Sequence, residues 1–177
     1  MKILYLIFFT IAFTVGCTQK NLDTRIILWQ DAKYGMSIDE IKTLYPSIEI
    51  ISNNYVSDSI FLYQFDGVVV QKEDFYVRFL FSDQILVGVI LCPKNNFAFE
   101  RADNLVYLLK EELTQKYGNP VNENNEFIQH IGSFIQTSWN VQNLVITLDF
   151  IRPSFTFDPA VIEIMYTSGT IEIEDNL

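Results

Sequence analysis

The side chains in this chain that could do chemistry are few and scattered. His130 is the only histidine, so a site built from several histidines is excluded. It falls in Phe127-Ile128-Gln129-His130-Ile131, between apolar neighbours, and reads as an ordinary strand position. A serine nucleophile would need that imidazole set beside it by the fold. Ser133 and Ser138 are near it in sequence, but no Gly-x-Ser-x-Gly turn accompanies them. Among the carboxylates, Glu73-Asp74 and Glu111-Glu112 are adjacent pairs, and neighbours on a strand or helix point apart. Asp149 differs. It interrupts the apolar run Val145-Ile146-Thr147-Leu148-Asp149-Phe150 and is the carboxylate best placed to act, against the simpler reading of an outward strand position. The segment Asn122–Glu126 offers oxygens to Ca²⁺ but lacks the alternating EF-hand pattern. Seven glycines, none clustered, make no phosphate-cradling loop. No catalytic residue, metal site or cofactor is expected, and a carboxylate-based enzyme is the least favoured of three functional classes.

The two cysteines differ in setting. Met1-Lys2 is followed by an apolar run from Ile3 to Val15, and Gln19-Lys20 come soon after. A positive start, a short apolar core and a small residue before the break are the parts of a secretory signal. The run is shorter than the roughly 20 residues a spanning helix needs. Thr14-Val15-Gly16-Cys17 resembles the lipobox of bacterial lipoprotein precursors, although Thr14 stands where that family usually has Leu. The resemblance implies cleavage after Gly16, a thioether lipid on Cys17 and acylation of the new amino terminus. Several acyl chains hold a protein stably where one does not. An ordinary cleaved signal and an uncleaved short anchor are the alternatives. With Cys17 lipidated, Cys92 has no partner in the chain. It ends the run Ile85–Leu91 and reads as a small buried hydrophobe, with a reactive thiol as the lesser reading. With Cys17 unlipidated, a Cys17–Cys92 disulfide becomes the competing account.

Charge removes other classes. The chain has 12 Lys plus Arg against 22 Asp plus Glu. Loss of Lys2 with the signal leaves 11 against 22, a formal charge of −11. That disfavours nucleic acid, whose binding rests on phosphate neutralisation, and flat adhesion to anionic lipid. Membrane contact is expected through the lipid alone.

The positioning elements are legible. Residues 17–28 read as the lipidated terminus and a tether, with folded chain from about Trp29. Ser37 and Glu40 have capping-box spacing, and Met36 and Ile41 fall where a hydrophobic staple forms. Ile38, Ile41 and Leu44 line one helical face, and Pro46 ends the helix. Strands are expected at Ser59–Phe65, Val68–Gln71, Asp74–Phe81 and Ile85–Cys92, with turns at Asp66-Gly67 and Ser82-Asp83-Gln84. In the third strand Phe75, Val77, Phe79 and Phe81 share one face, and Tyr76, Arg78 and Leu80 the other. A second helix runs from about Phe99 to Tyr117, where Ala102, Leu105, Leu109 and Leu113 keep its period. Gly118 and Pro120 end it. Asn122–Glu126 reads as a solvated loop. Strands follow at Phe127–Ile131, Phe134–Val141, Leu144–Ile151 and Val161–Thr167, and 171–177 is an acidic tail.

The order is helix then strands, twice. The expected fold is α+β: two tandem helix-plus-antiparallel-meander units, residues 29–96 and 97–170, packed together after the signal peptide 1–16. The Tyr34-Gly35-Met36-Ser37 start with Glu40-Ile41, the Lys116-Tyr117-Gly118-Asn119-Pro120 helix end and the element order resemble the β-lactamase-inhibitor-protein-like superfamily. That group includes small envelope lipoproteins of the SmpA/OmlA type. The resemblance, over about residues 29–168, implies a sheet that presents a surface to another protein, in inhibitor or assembly-factor style, and no catalysis. The chain lacks the disulfides of the secreted inhibitors.

Aromatic residues make up 15% of the chain. Tyr63, Tyr76, Trp139 and Tyr166 fall on strands and combine ring area with a polar handle, the type favoured at interfaces. They are the candidate partner-binding residues, against the simpler reading of a sheet core with hydroxyls at its rim. The expectation is a non-catalytic protein-binding module of the cell envelope, anchored by Cys17 (on the periplasmic face of the outer membrane in a Gram-negative cell), with an envelope protein as its partner. A carrier of lipid or another apolar ligand is the alternative, and a large apolar pocket would favour it.

Overall fold

The computed structural model describes residues 24–51, 60–129, 131–154 and 159–169. Strands β1 (Ile27–Trp29) and β2 (Ala32–Lys33) form a small hairpin. Helix α1 (Ile38–Leu44) follows, with Ser37 as N-cap. The Ser37 hydroxyl accepts from the Glu40 amide at 3.3 Å, and the Glu40 carboxylate accepts from the Ser37 amide at 2.8 Å. Four strands come next: β3 (Glu49–Ile51), β4 (Ile60–Val70), β5 (Glu73–Ser82) and β6 (Ile85–Pro93). Helix α2 spans Phe99–Tyr117 and stops at Gly118, whose φ of 88° suits glycine. The last four strands are β7 (Asn122–Ile128), β8 (Gly132–Val141), β9 (Leu144–Pro153) and β10 (Val161–Ser168).

The fold is α+β, dominated by one antiparallel sheet of eight strands in the order β3-β4-β5-β6-β10-β9-β8-β7. Within each run of four, chain neighbours are sheet neighbours. The last strand of each run, β6 and β10, pair at the centre, with Ile164 opposite Leu91 and Tyr166 opposite Val89.

One face of this sheet carries Phe75, Val77, Phe79, Val89, Ile146, Leu148 and Ile164, all buried in a single core. Both helices and the β1–β2 hairpin pack on that face. The Tyr45 ring, at the end of α1, lies tilted 5.0 Å from that of Phe79 and 5.6 Å from that of Phe65. Trp29 lies 6.5 Å from Phe79. On the α2 side the Trp139 indole donates to the Gly118 carbonyl at 3.0 Å. Helix α2 buries Ala102, Leu105, Leu109 and Leu113, the apolar stripe its sequence period predicts.

Three expectations need correction. Asp66-Gly67 is not a hairpin turn: β4 continues through it with a register shift between Asp66 and Val68. Glycine at φ 115° serves a bulge as readily as a turn. Asn122–Glu126 is not a loop but most of β7, paired with β8 from Asn122 opposite Ser138 to Ile128 opposite Gly132. An edge strand has one solvated flank and accepts polar residues that a central strand would not. The fold also starts earlier than the expected tether allows. Leu28 is buried in the core, the Tyr34 amide donates to the Ile26 carbonyl, and Arg25 pairs with Glu40 at 3.0 Å.

Cys17 and His130 lie outside the described residues, as does the acidic tail. No helix among the described residues is long and apolar enough to cross a membrane.

Candidate functional site

Side chains alternate across a strand, so the sheet has a second face, and no helix or strand among the described residues packs on it. The pairing registers of the strands fix its membership. Asp66 faces Tyr76, and Tyr76 faces Cys92, across β4, β5 and β6; Glu163 faces Asp149, and Asp149 faces Gln136, across β10, β9 and β8. The neighbouring row holds Gln64, Arg78, Ile90, Met165, Thr147 and Ser138. Long side chains here shelter one another. Ile90 and Cys92 are buried, and Tyr76, Arg78, Asp149 and Glu163 are half-buried.

The polar contacts are sparse. Gln136 Nε2 donates to Asp149 Oδ1 at 2.9 Å, and Arg78 Nε donates to Gln64 Oε1 at 3.3 Å. Lys94 sits 5.1 Å over the Tyr76 ring and 3.5 Å from the Asp66 carboxylate. Burial pushes the Glu163 carboxyl above the usual range; Arg78 opposes this and Asp149 adds to it. Burial also raises Asp149, against its hydrogen bond from Gln136. The Cys92 thiol is pushed up to about 11, mainly by burial. At neutral pH it is protonated and a poor nucleophile. A groove of about 290 Å³ crosses this end of the face, bordered by Tyr76, Arg78, Cys92, Phe97, Val161 and Glu163.

The four aromatic candidates separate. Trp139 is 0% exposed and Tyr166 6% exposed, both on the covered face. They are core residues and present nothing to a partner. The reason is register: Trp139 opposes Ile146, and Ile146 opposes Tyr166, within the apolar row beneath α2. Tyr63 also lies on the covered face, edge-on to Phe81 at 5.5 Å with Lys42 of α1 over its ring. Only Tyr76 is on the uncovered face. Asp149 is there too, joined by Arg78, Gln136 and Glu163, which sequence reasoning did not select. A signal for Glu163 was present: it interrupts Val161-Ile162-Glu163-Ile164 as Asp149 interrupts its own strand.

The covered side holds a cavity of about 150 Å³ between Trp29, Val68, Leu113, Ile164 and Tyr166. Ligand pockets usually run from about 300 Å³ upward, so this space suits a benzene-sized guest rather than an acyl chain. Among the described residues no group of three or more His, Cys, Asp or Glu could hold a metal ion. No protein-family model, curated protein or solved structure matches the chain.

Proposed function

We propose that this chain is a membrane-anchored envelope lipoprotein acting as a non-catalytic protein-binding module. In this reading it consists of two tandem helix-plus-meander units joined at β6 and β10, and its uncovered sheet face meets an envelope protein. One observation carries it. Helices α1 and α2 pack on the same face of an eight-stranded sheet, and no helix or strand among the described residues covers the other, which carries half-buried Tyr76, Arg78, Asp149 and Glu163. A bare sheet face of this breadth, with apolar and polar groups mixed, is surface that a partner can desolvate.

Site-specific photo-crosslinking in bacteria tests the contact surface. Photoreactive residues replace Tyr76 and Met165 on the bare face, and Tyr107 on the exposed flank of α2, in the full chain. Discrete adducts from the first two positions and none from Tyr107 are the expected outcome. Adducts from Tyr107 alone would place the contact on the helices instead. Mass spectrometry of the mature amino terminus tests the anchor: a thioether-lipidated, acylated Cys17 is expected, and an intact Met1 or unmodified Cys17 removes it.

The carrier reading rests on the 150 Å³ cavity beneath α2. Its volume makes it second.

A further inference from the structure

We propose that the occupant of the bare face is a positively charged protein surface, one that sets an arginine or lysine side chain between Asp149 and Glu163. This rests on the bare face being the contact surface, and it specifies the chemistry of the partner.

The charges on the face are one-sided. Strand alternation and register place Glu49, Asp66, Asp74, Glu126, Asp149 and Glu163 on it, against Arg78 and Lys94. Lys94 pairs with Asp66 and lies over the Tyr76 ring; Arg78 donates to Gln64 and offsets the Glu163 charge only in part, from beyond ion-pair distance. At the centre Asp149 and Glu163 stand directly opposite each other on adjacent strands. Such a pair has β-carbons about 4.5–5.5 Å apart, and like charges there repel. Among the described residues neither carboxylate has a cation within ion-pair distance, and Glu163 accepts no hydrogen bond. Two half-buried carboxylates side by side, with no cation in ion-pair contact, are what a guanidinium or ammonium group neutralises best. The groove bordered by Tyr76, Phe97 and Glu163 offers an apolar wall for the stem of such a side chain.

The same charge decides against the other occupants. A second copy of the chain, face to face, would set like charges against like. An anionic membrane and a nucleic acid carry the wrong sign. The acidic end of the chain, with Glu172, Glu174 and Asp175, does too.

The carboxylate pair also has a signature that separates a binding role from a structural one. Asp149 and Glu163 are carboxylates held partly out of water without full compensation, so neutralising them relieves a cost. The double variant Asp149→Asn/Glu163→Gln is therefore expected to raise Tm while losing affinity for a basic partner. A residue retained for folding alone gives the opposite Tm change.

The probe is a fluorescein-labelled decapeptide alternating arginine and alanine, with a glutamate–alanine counterpart. Its anisotropy is followed against the full chain in neutral detergent, with an NMR footprint of the bound peptide. Glu100→Gln/Glu111→Gln removes the same charge from exposed positions on α2 and serves as control. The expected result is a footprint on Thr147, Met165 and neighbouring bare-face residues. Binding should weaken roughly tenfold or more in Asp149→Asn/Glu163→Gln, and less than about twofold in the control. Equal weakening in both variants, a footprint on α2, preferential capture of phosphatidylglycerol vesicles, or dimerisation through the bare face would each overturn the proposal. Its failure is distinguishable from that of the contact surface. Crosslinks from Tyr76 and Met165 to a partner that carries no basic patch, with peptide binding indifferent to the double variant, remove the charge inference and leave the surface standing. Absence of any crosslink from that face removes both.

Discussion

Glu163 illustrates how one position ties stability to pH. Burial lifts its carboxyl above the usual range, and Asp149 across the strand pair lifts it further against Arg78. A carboxyl raised in the folded state takes up its proton there before it does in the unfolded chain. Stability therefore rises as pH falls through the raised folded value, and the gain is complete below the unfolded one. Above the folded value the ionised group is a net cost. Glu163→Gln should thus raise Tm at pH 7 by about 2 °C, the scale of a sub-kcal/mol change in a chain of this length. The difference from the parent should shrink as the pH enters the ordinary carboxylate range. Thermal melts from pH 4 to pH 8 measure it, and a lower Tm at pH 7 would mean that Glu163 is a structural asset.

At the scale of elements, short-range signals decide where segments begin and end. The Ser37–Glu40 capping box holds the first turn of a helix of only seven residues, too short to persist by propensity. Ser37→Ala should cost about 1 kcal/mol, read as a shift in the denaturant midpoint with unchanged slope. Gly132 is more demanding. At φ 125° it opens β8 opposite Pro153, and a Cβ there would overlap the Arg152 carbonyl oxygen. Gly132→Ala should cost about 2–3 kcal/mol or more, and it should loosen the β7–β8 hairpin before the rest of the sheet, seen as faster amide exchange in β7. The sequence does not single out this glycine, because its restraint comes from a strand about 20 residues away. Gln71-Lys72 is a parallel case. Both residues are left-handed, at φ 51° and 66°, without the Asn-Gly signature of such turns. The long β4–β5 pairing on either side imposes the conformation.

For the whole molecule the central question is whether the two halves are separable. Core residues from both runs, Phe79 and Val89 with Ile146 and Ile164, belong to one buried cluster, and β6 pairs with β10 through its middle. One cooperative transition is expected. The two tryptophans test it directly, since Trp29 packs beside α1 and Trp139 beneath α2. Fluorescence of Trp139→Phe and Trp29→Phe, each compared with its own circular dichroism, should give coincident unfolding midpoints. A fluorescence midpoint displaced from that of the same variant's circular dichroism would show that the halves unfold independently.

The sequence by itself determined what depends on near neighbours along the chain. The capping box set the start of α1, the 3.6-residue period and Gly118 set α2, and the alternation in Phe75–Phe81 set which side of β5 is buried. These are local geometry, and local residues suffice to specify them. Tertiary structure decided which strands meet and hence which face each side chain occupies in the sheet. Tyr63, Tyr76, Trp139 and Tyr166 look alike in sequence, as strand aromatics with a polar atom. Pairing register puts three of them on the helix-covered side and Tyr76 on the bare one. The same registration brings Asp149 opposite Glu163, 14 residues away, and makes one acidic face, covered by no helix among the described residues, from residues that the sequence offers only as separate interruptions in apolar strands. No single-strand pattern contains that information, because facing partners are chosen by which strand lies alongside.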